Sequence, residues 1–226
     1  MDFSLSDDQQ AFVSLAREFA QKQLAPFAAD WDEHKRFPAE TLRAAGALGL
    51  CGMYCPEQLG GTGLSRLDAA LVLEELAQGC TSTAAYLSIH NMAAWMVATW
   101  GSSAVAGQWA SELAAGSKLA SYCLTEANAG SDAAAVRTSA QLVAGDYVLN
   151  GAKAFISGAG DTDALVVMAR TGGEGAGGIS AFLVPSDTPG VSFGKNETKM
   201  GWNSQATRAI TLEDARIPAQ NRLGKE

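Results

Sequence analysis

The chain divides according to the period of its apolar positions. After Ser6, Asp7 and Asp8, which read as an N-cap with acids in a first helical turn, Phe12, Leu15, Ala16 and Phe19 recur at helical spacing and predict a long amphipathic helix. Pro38 stands where another helix begins, with Leu42, Ala45 and Leu48 on one face before Gly49. Pro56 to Gly63, PEQLGGTG, is a loop by its proline and glycine content. Leu67 to Ala77, Thr83 to Trp100 and Ser103 to Ala114 place Ala, Leu, Met and Trp at three- and four-residue steps, so each predicts a further helix.

From Lys118 the period changes to two. Gly145-Asp146 separates TSAQLVA from YVLNG, and glycine-rich turns bracket ALVVMAR (Ala164 to Arg170) and ISAFLVP (Ile179 to Pro185), which read as short strands. The expected fold class is α+β: an all-α helical bundle over residues 1–116, then a β-barrel or sandwich over 117–226. The tract TGGEGAGG, Thr171 to Gly178, lacks the Lys and Ser/Thr ending of a phosphate-binding P-loop and opens no helix, so it reads as a mobile hairpin loop.

Charge and composition narrow the function. A net charge of -8 and a pI near 4.8 argue against the basic surface that tracks nucleic-acid phosphates, while leaving room for a local site for an anionic small molecule. The N-terminus, MDFSLSDDQQ, has acids where a secretory signal carries Lys or Arg, and no apolar segment follows, so export is not expected. The apolar segment Ala84 to Trp100 contains Ser88, His90, Asn91 and Thr99 and reads as a buried helix rather than a membrane span. Cys51, Cys55, Cys80 and Cys123 include no C-x2-C pair, and His34 and His90 do not complete a zinc set, so free thiols and no metal are expected. His90 reads as a structural or pocket-wall histidine, and Met92, Met96 and Trp100 as a core stripe.

The segment CLTEANAGSD, Cys123 to Asp132, is unusual: an apolar run stops at Thr125, and an acid and several small residues lead to Gly130-Ser131-Asp132. Taken one at a time these residues have ordinary readings. Thr125 ends a strand, Ser131 or Asp132 caps a turn, and a phenylalanine such as Phe155 belongs in a core. As a set, Cys123-Leu124-Thr125-Glu126 with Ala129-Gly130-Ser131-Asp132 resembles the signature of the acyl-CoA dehydrogenase family. AFISGAG (Ala154 to Gly160) and the stretch from Ser192 to Pro218, with its Gly-Trp-Asn-Ser-Gln, extend the resemblance, the latter towards the isobutyryl-CoA dehydrogenase branch. Many members have Pro where Ala127 stands and Trp where Phe155 stands.

The resemblance implies FAD as cofactor and oxidation of an acyl-CoA thioester to its 2,3-enoyl form, with a proton leaving Cα and hydride passing from Cβ to flavin N5. It places Tyr122, Cys123, Leu124, Thr125, Glu126, Ala127, Asn128, Ala129, Gly130 and Ser131 along the flavin. The Thr125 hydroxyl and nearby backbone NH groups face the pyrimidine edge, where charge gathers on reduction. Ser131 is also placed by the pyrophosphate or the pantetheine arm of the substrate, Phe155 and Ile156 by the ring system, and Ser157 near N5. Glu126 belongs to the flavin-binding turn and is not the base; the catalytic glutamate is expected beyond Glu226, in a second helical bundle, so the chain alone is expected to be inactive. Electron-transfer flavoprotein as electron acceptor, homo-oligomeric assembly, a role in valine catabolism, and a cytoplasmic or mitochondrial-matrix location follow from the same resemblance. The alternative is a non-catalytic flavin- or acyl-CoA-binding or interaction module.

Overall fold

A computed structural model describes residues 4–224; Met1 to Phe3, part of the acidic N-terminal stretch, and Lys225 and Glu226 lie outside the described residues. Helix α1, Asp7–Phe19, starts at the expected cap: Ser6 Oγ accepts from the Gln9 amide and the Gln9 side chain accepts from the Ser6 amide, closing a capping box. It runs on through a π-helical turn, Ala20–Leu24, to a short α2, Ala28–Glu33, for which the sequence pattern gave no signal. Helix α3 spans Ala39–Gly46 after Pro38, and α4 spans Arg66–Gly79 with a second capping box between Ser65 and Asp68. Then come α5, Thr81–Trp100, and α6, Ser103–Ala114.

Helix α5 is the centre of the helical half, and its polar residues explain themselves there. Asn91 is buried, but its carbonyl accepts from the Met53 amide at 2.7 Å while its amide group donates to Leu50 and Leu87 carbonyls. One side chain thus holds the loop after α3 against α5, with every polar atom partnered. His90 bridges the two halves: Nδ1 accepts from the Ala120 amide and Nε2 donates to the Leu113 carbonyl, each at 3.0 Å. The histidine is therefore structural.

The sheet contains β1 (Ala120–Cys123), β2 (Ser139–Val143), β3 (Asp146–Ser157), β4 (Ala164–Arg170), β5 (Ile179–Pro185), β6 (Val191–Phe193), β7 (Thr207–Pro218) and β8 (Arg222–Leu223), in the order β6-β7-β3-β2-β4-β5-β8, with β1 parallel to β4. The expected sequence of uniformly short strands gives way to two of twelve residues, β3 and β7, paired antiparallel. Strands β2 and β4 meet at a single residue pair, Ser139 and Arg170, so the sheet folds over there. Its two halves then share a core of Tyr147, Leu149, Ile210 and Leu212 against Leu165, Val167 and Phe182.

The other face of β4 and β5, with Val166 and Leu183, packs on Ala94, Val97 and Leu113 of α5 and α6. Strand β4 is buried on both faces, and this accounts for the unbroken apolar run Ala-Leu-Val-Val-Met-Ala. The glycine-rich tract between β4 and β5 is tied down rather than left loose. Thr171 and Gly172 amides donate to the Gly178 carbonyl, and the Arg170 guanidinium donates to Gly173 and Gly175 carbonyls and back to Ala134 and Val136. Among the described residues no helix is long and apolar enough to cross a membrane.

Candidate functional site

The motif residues gather where β1 ends and β3 kinks. Strand β1 stops at Cys123, and the chain turns so that the Glu126 amide donates to the Ala129 carbonyl at 2.9 Å and the Ala129 amide donates back at 3.2 Å. The turn is held on β3 by the Ala154 amide, which donates to the Thr125 carbonyl at 2.8 Å. In this way two motifs 30 residues apart in sequence become neighbours, Thr125 on one and Phe155 on the other.

Strand β3 carries the less ordinary backbone. Between Lys153 and Ile156 it has one residue more than its partner stretch on β7, a β-bulge. Phe155 sits in the bulge with φ of 57°, a left-handed conformation that costs a bulky residue roughly 1 kcal/mol or more. The bulge turns its ring outward, leaving Phe155 65 % exposed. The core reading available from sequence is thereby set aside: the fold holds a large apolar ring on the surface in an unfavourable backbone state, beside a turn of small residues.

The structure sorts the remaining motif residues by what they could offer a ligand. Tyr122, Leu124, Thr125 and Ser157 are half-buried, while Ala127, Asn128, Gly130 and Ser131 are exposed. Gly130 has no atom within 4 Å of where a Cβ would stand, so its backbone is open to close approach. Cys123, Ala129 and Ile156 are buried, with Cys123 and Ile156 in the core of the sheet, so these could meet a ligand through backbone only. Burial pushes the Cys123 thiol up to about 12, which makes it unreactive at neutral pH.

Glu126 is 7 % exposed and its carboxylate is fully engaged. Oε1 accepts from Lys153 Nζ at 2.8 Å and from the Thr138 amide at 2.9 Å, and Oε2 from the Arg137 amide at 2.7 Å. Burial alone would raise its pKa, but the Lys153 ammonium and the donors of Thr138 and Arg137 outweigh that and hold it down to about 2. A carboxylate so placed is a poor proton acceptor. Sequence reasoning missed Lys153. The signal available was a lysine inside a strand pattern, immediately before the Ala154 to Gly160 motif.

A cavity of 380 Å³ opens beside this pair, lined by Ala127, Asn128, Arg137, Ala152 and Ala154 among others. A second, of 520 Å³, runs under the turn between Asp132, Val136, Arg170 and Glu174. A larger one of 780 Å³ lies elsewhere, on the face of β2, β4 and β5, and contains none of the motif residues. Met96 and Trp100 line it; Met92 is half-buried, Met96 is buried, and Trp100 is half exposed and edge-on against Trp95, so only the middle of the stripe is core. The four cysteines are buried and unpaired, and among the described residues no three His, Cys, Asp or Glu side chains converge on a metal-sized site.

Residues 6–117 match the family model "Acyl-CoA dehydrogenase, N-terminal domain", and residues 121–215 match "Acyl-CoA dehydrogenase, middle domain". The chain belongs to the acyl-CoA dehydrogenase family. Mitochondrial isobutyryl-CoA dehydrogenase of Bos taurus is 50 % identical to it over 222 residues, which is 98 % of this chain and 53 % of the relative. The structure of butyryl-CoA dehydrogenase from Megasphaera elsdenii superposes with a TM-score of 0.93 at 37 % identity, covering all of this chain and 61 % of that one. PigA, solved with FAD and proline, superposes at 0.95 with 32 % identity over all of this chain and 60 % of its own. The chain thus spans about half the length of the curated relatives it matches.

Proposed function

We propose that this chain is the N-terminal and middle part of an FAD-dependent dehydrogenase that introduces a 2,3 double bond into a short branched-chain acyl-CoA of the isobutyryl-CoA kind. The observation that carries the reading is Phe155: an exposed ring held at positive φ beside the Thr125 to Ser131 turn, in a chain half identical to an isobutyryl-CoA dehydrogenase. The residues present fit a flavin. Gly130 offers open backbone, Ala127 and Ala129 keep the turn slim, and the Phe155 ring supplies a flat apolar wall.

Bound there, FAD supplies the hydride acceptor. The part of the chain would be to bind and orient it: Thr125 and the neighbouring NH groups would donate to the pyrimidine edge, Phe155 would cover a ring face, Ser157 would lie by the reacting nitrogen, and Ser131 would meet the pyrophosphate or the pantetheine arm. Electron-transfer flavoprotein as acceptor, self-association of the whole enzyme, and a matrix or cytoplasmic site of action belong to the same proposal.

The test uses a protein extended to the relatives' length. Anaerobic addition of isobutyryl-CoA should bleach the flavin absorbance faster than octanoyl-CoA does, with a graded preference, since one methylene in a pocket is worth only roughly 1–3 kcal/mol. Thr125→Val should slow bleaching, because an acceptor left without its donor costs roughly 1–3 kcal/mol. A panel peaking at long chains removes the branched-chain assignment; unchanged reduction and flavin affinity in Thr125→Val removes the placement of the turn.

A further inference from the structure

Lys153 is 1 % exposed, and its ammonium lies at the meeting point of the two motifs. It donates to the Leu124 carbonyl at 3.1 Å and to Glu126 Oε1 at 2.8 Å, so it grips the residue on each side of Thr125. The residue after it, Ala154, holds the Thr125 carbonyl itself, and the next is Phe155 in the bulge. Through Glu126 the grip extends to the Arg137 and Thr138 amides, which closes the base of the 127–136 loop. One buried ion pair therefore touches the turn, the loop it carries, and the strand that presents the aromatic ring.

Stability does not account for such a pair. Taking both charges out of water costs about as much as their attraction returns, and an apolar pair of similar volume is commonly as stable or more so. What the pair does provide is direction: an ammonium and a carboxylate with several fixed partners admit one arrangement of the backbone, where packed methyl groups admit several. Nor does either group have a chemical role open to it, since each is buried and engaged.

We propose that Lys153 and Glu126 are positioning residues that fix the spacing between the Thr125 edge and the Phe155 face of the flavin site. The proposal rests on the flavin reading above. It concerns the pair's effect on how flavin sits, and it assigns neither residue a contact with the reacting atoms.

The experiment titrates FAD into the protein extended to the relatives' length and into its variants, reading affinity from flavin fluorescence and placement from visible circular dichroism, with urea unfolding of each protein as the stability control. Lys153→Met and Glu126→Gln should each weaken FAD binding about tenfold or more and change the visible dichroism, a factor of ten corresponding to a single lost hydrogen bond of ordinary strength. The deciding protein is the double variant Lys153→Met, Glu126→Gln, which leaves no buried charge unpaired. It should recover unfolding stability while FAD affinity and dichroism stay altered. Recovery of both would show a merely structural pair and overturn the proposal, as would failure of all three variants to fold. If the unaltered extended protein binds FAD and the variants bind it identically, positioning is refuted while the flavin reading stands. If the unaltered extended protein shows no FAD binding, the flavin reading falls and the proposal falls with it.

Discussion

Asp32 on α2 and Asn203, 171 residues later, are joined twice: the Asn203 backbone amide donates to Oδ1 at 2.7 Å and its side-chain amide to Oδ2 at 3.1 Å. This is how the loop between β6 and β7, with its exposed Met200 and Trp202, is fastened to the helical half. The Asn203 side-chain bond, against the opposing effect of burial, holds the Asp32 carboxyl below its ordinary value. Replacing Asp32 by Ala removes a charged acceptor from two donors, and a loss of about 1–2 kcal/mol is expected. Amide exchange in residues 194–206 should quicken while that of α5 does not. Because the folded pKa is lowered, the clamp is fully present above the ordinary carboxylate pKa and fades as pH falls through the folded one. Uniform exchange changes across the whole chain would show that the contact is not a local latch.

His90 gives a second pH dependence in a different window. Burial pushes its pKa down to about 4, against the opposing pull of the Leu113 carbonyl and of Asp163. The unfolded chain binds a proton near pH 6.5, whereas the folded one refuses it until about pH 4. Stability should therefore be full above pH 6.5 and fall by up to about 1.4 kcal/mol per pH unit as pH drops below it, approaching ~3 kcal/mol in total. The chain has two histidines, so proton NMR isolates the signal. A ring resonance of His90 that titrates near pH 6.5, with no slope in stability between pH 6.5 and 5, would refute this.

The helical half was readable because its signals are local. Ser6 and Pro38 mark helix starts by chemistry that acts within four residues, and the apolar spacing behind them sets the buried face. Helix α2 escaped because six residues are less than two turns and show no period. The twelve-residue length of β3 escaped for another reason: its bulge breaks the alternation at Ala154 and Phe155, so its far end resembles a loop in sequence. At the site, the residue types of the Cys123 to Asp132 turn were legible, but not which of them face inward. Cys123 and Thr125 lie on one short stretch, yet only the fold decides that the first joins the core and the second stays half-buried. The Glu126 to Lys153 pair spans 27 residues and two elements, a distance over which no periodicity speaks.

Phe155→Asn should separate the ring from the fold. Asn tolerates left-handed backbone better than Phe does, and the ring is mostly in solvent, so unfolding stability should stay within about 1 kcal/mol of the unaltered chain. Under the proposed function, FAD affinity should nonetheless drop, because a flat apolar wall is gone. A large loss of stability on urea unfolding would mean that the ring contributes to packing after all, and would weaken the case for a ligand face.

Gly158, directly after Ser157, makes the opposite kind of prediction. It sits at φ of 79°, and a Cβ added to it would stand 2.7 Å from Thr162 Cγ2 and 2.7 Å from Tyr86 Cε2. Neither neighbour is free to retreat. Tyr86 is 1 % exposed and its hydroxyl donates to the Ala120 carbonyl at 3.1 Å, while the Thr162 hydroxyl shares a hydrogen bond of 2.9 Å with Ser121. The Gly158 amide also donates to the Ala206 carbonyl at 2.7 Å, so the backbone cannot swing away without loosening the start of β7. Gly158→Ala therefore combines left-handed strain with a clash against a packed ring, and a loss of about 2–4 kcal/mol is expected. Urea unfolding measures the loss, and the near-ultraviolet dichroism of Tyr86 reports the site. A neutral substitution would mean that Tyr86 and Thr162 can move apart, and that the floor beneath Ser157 is softer than its contacts require.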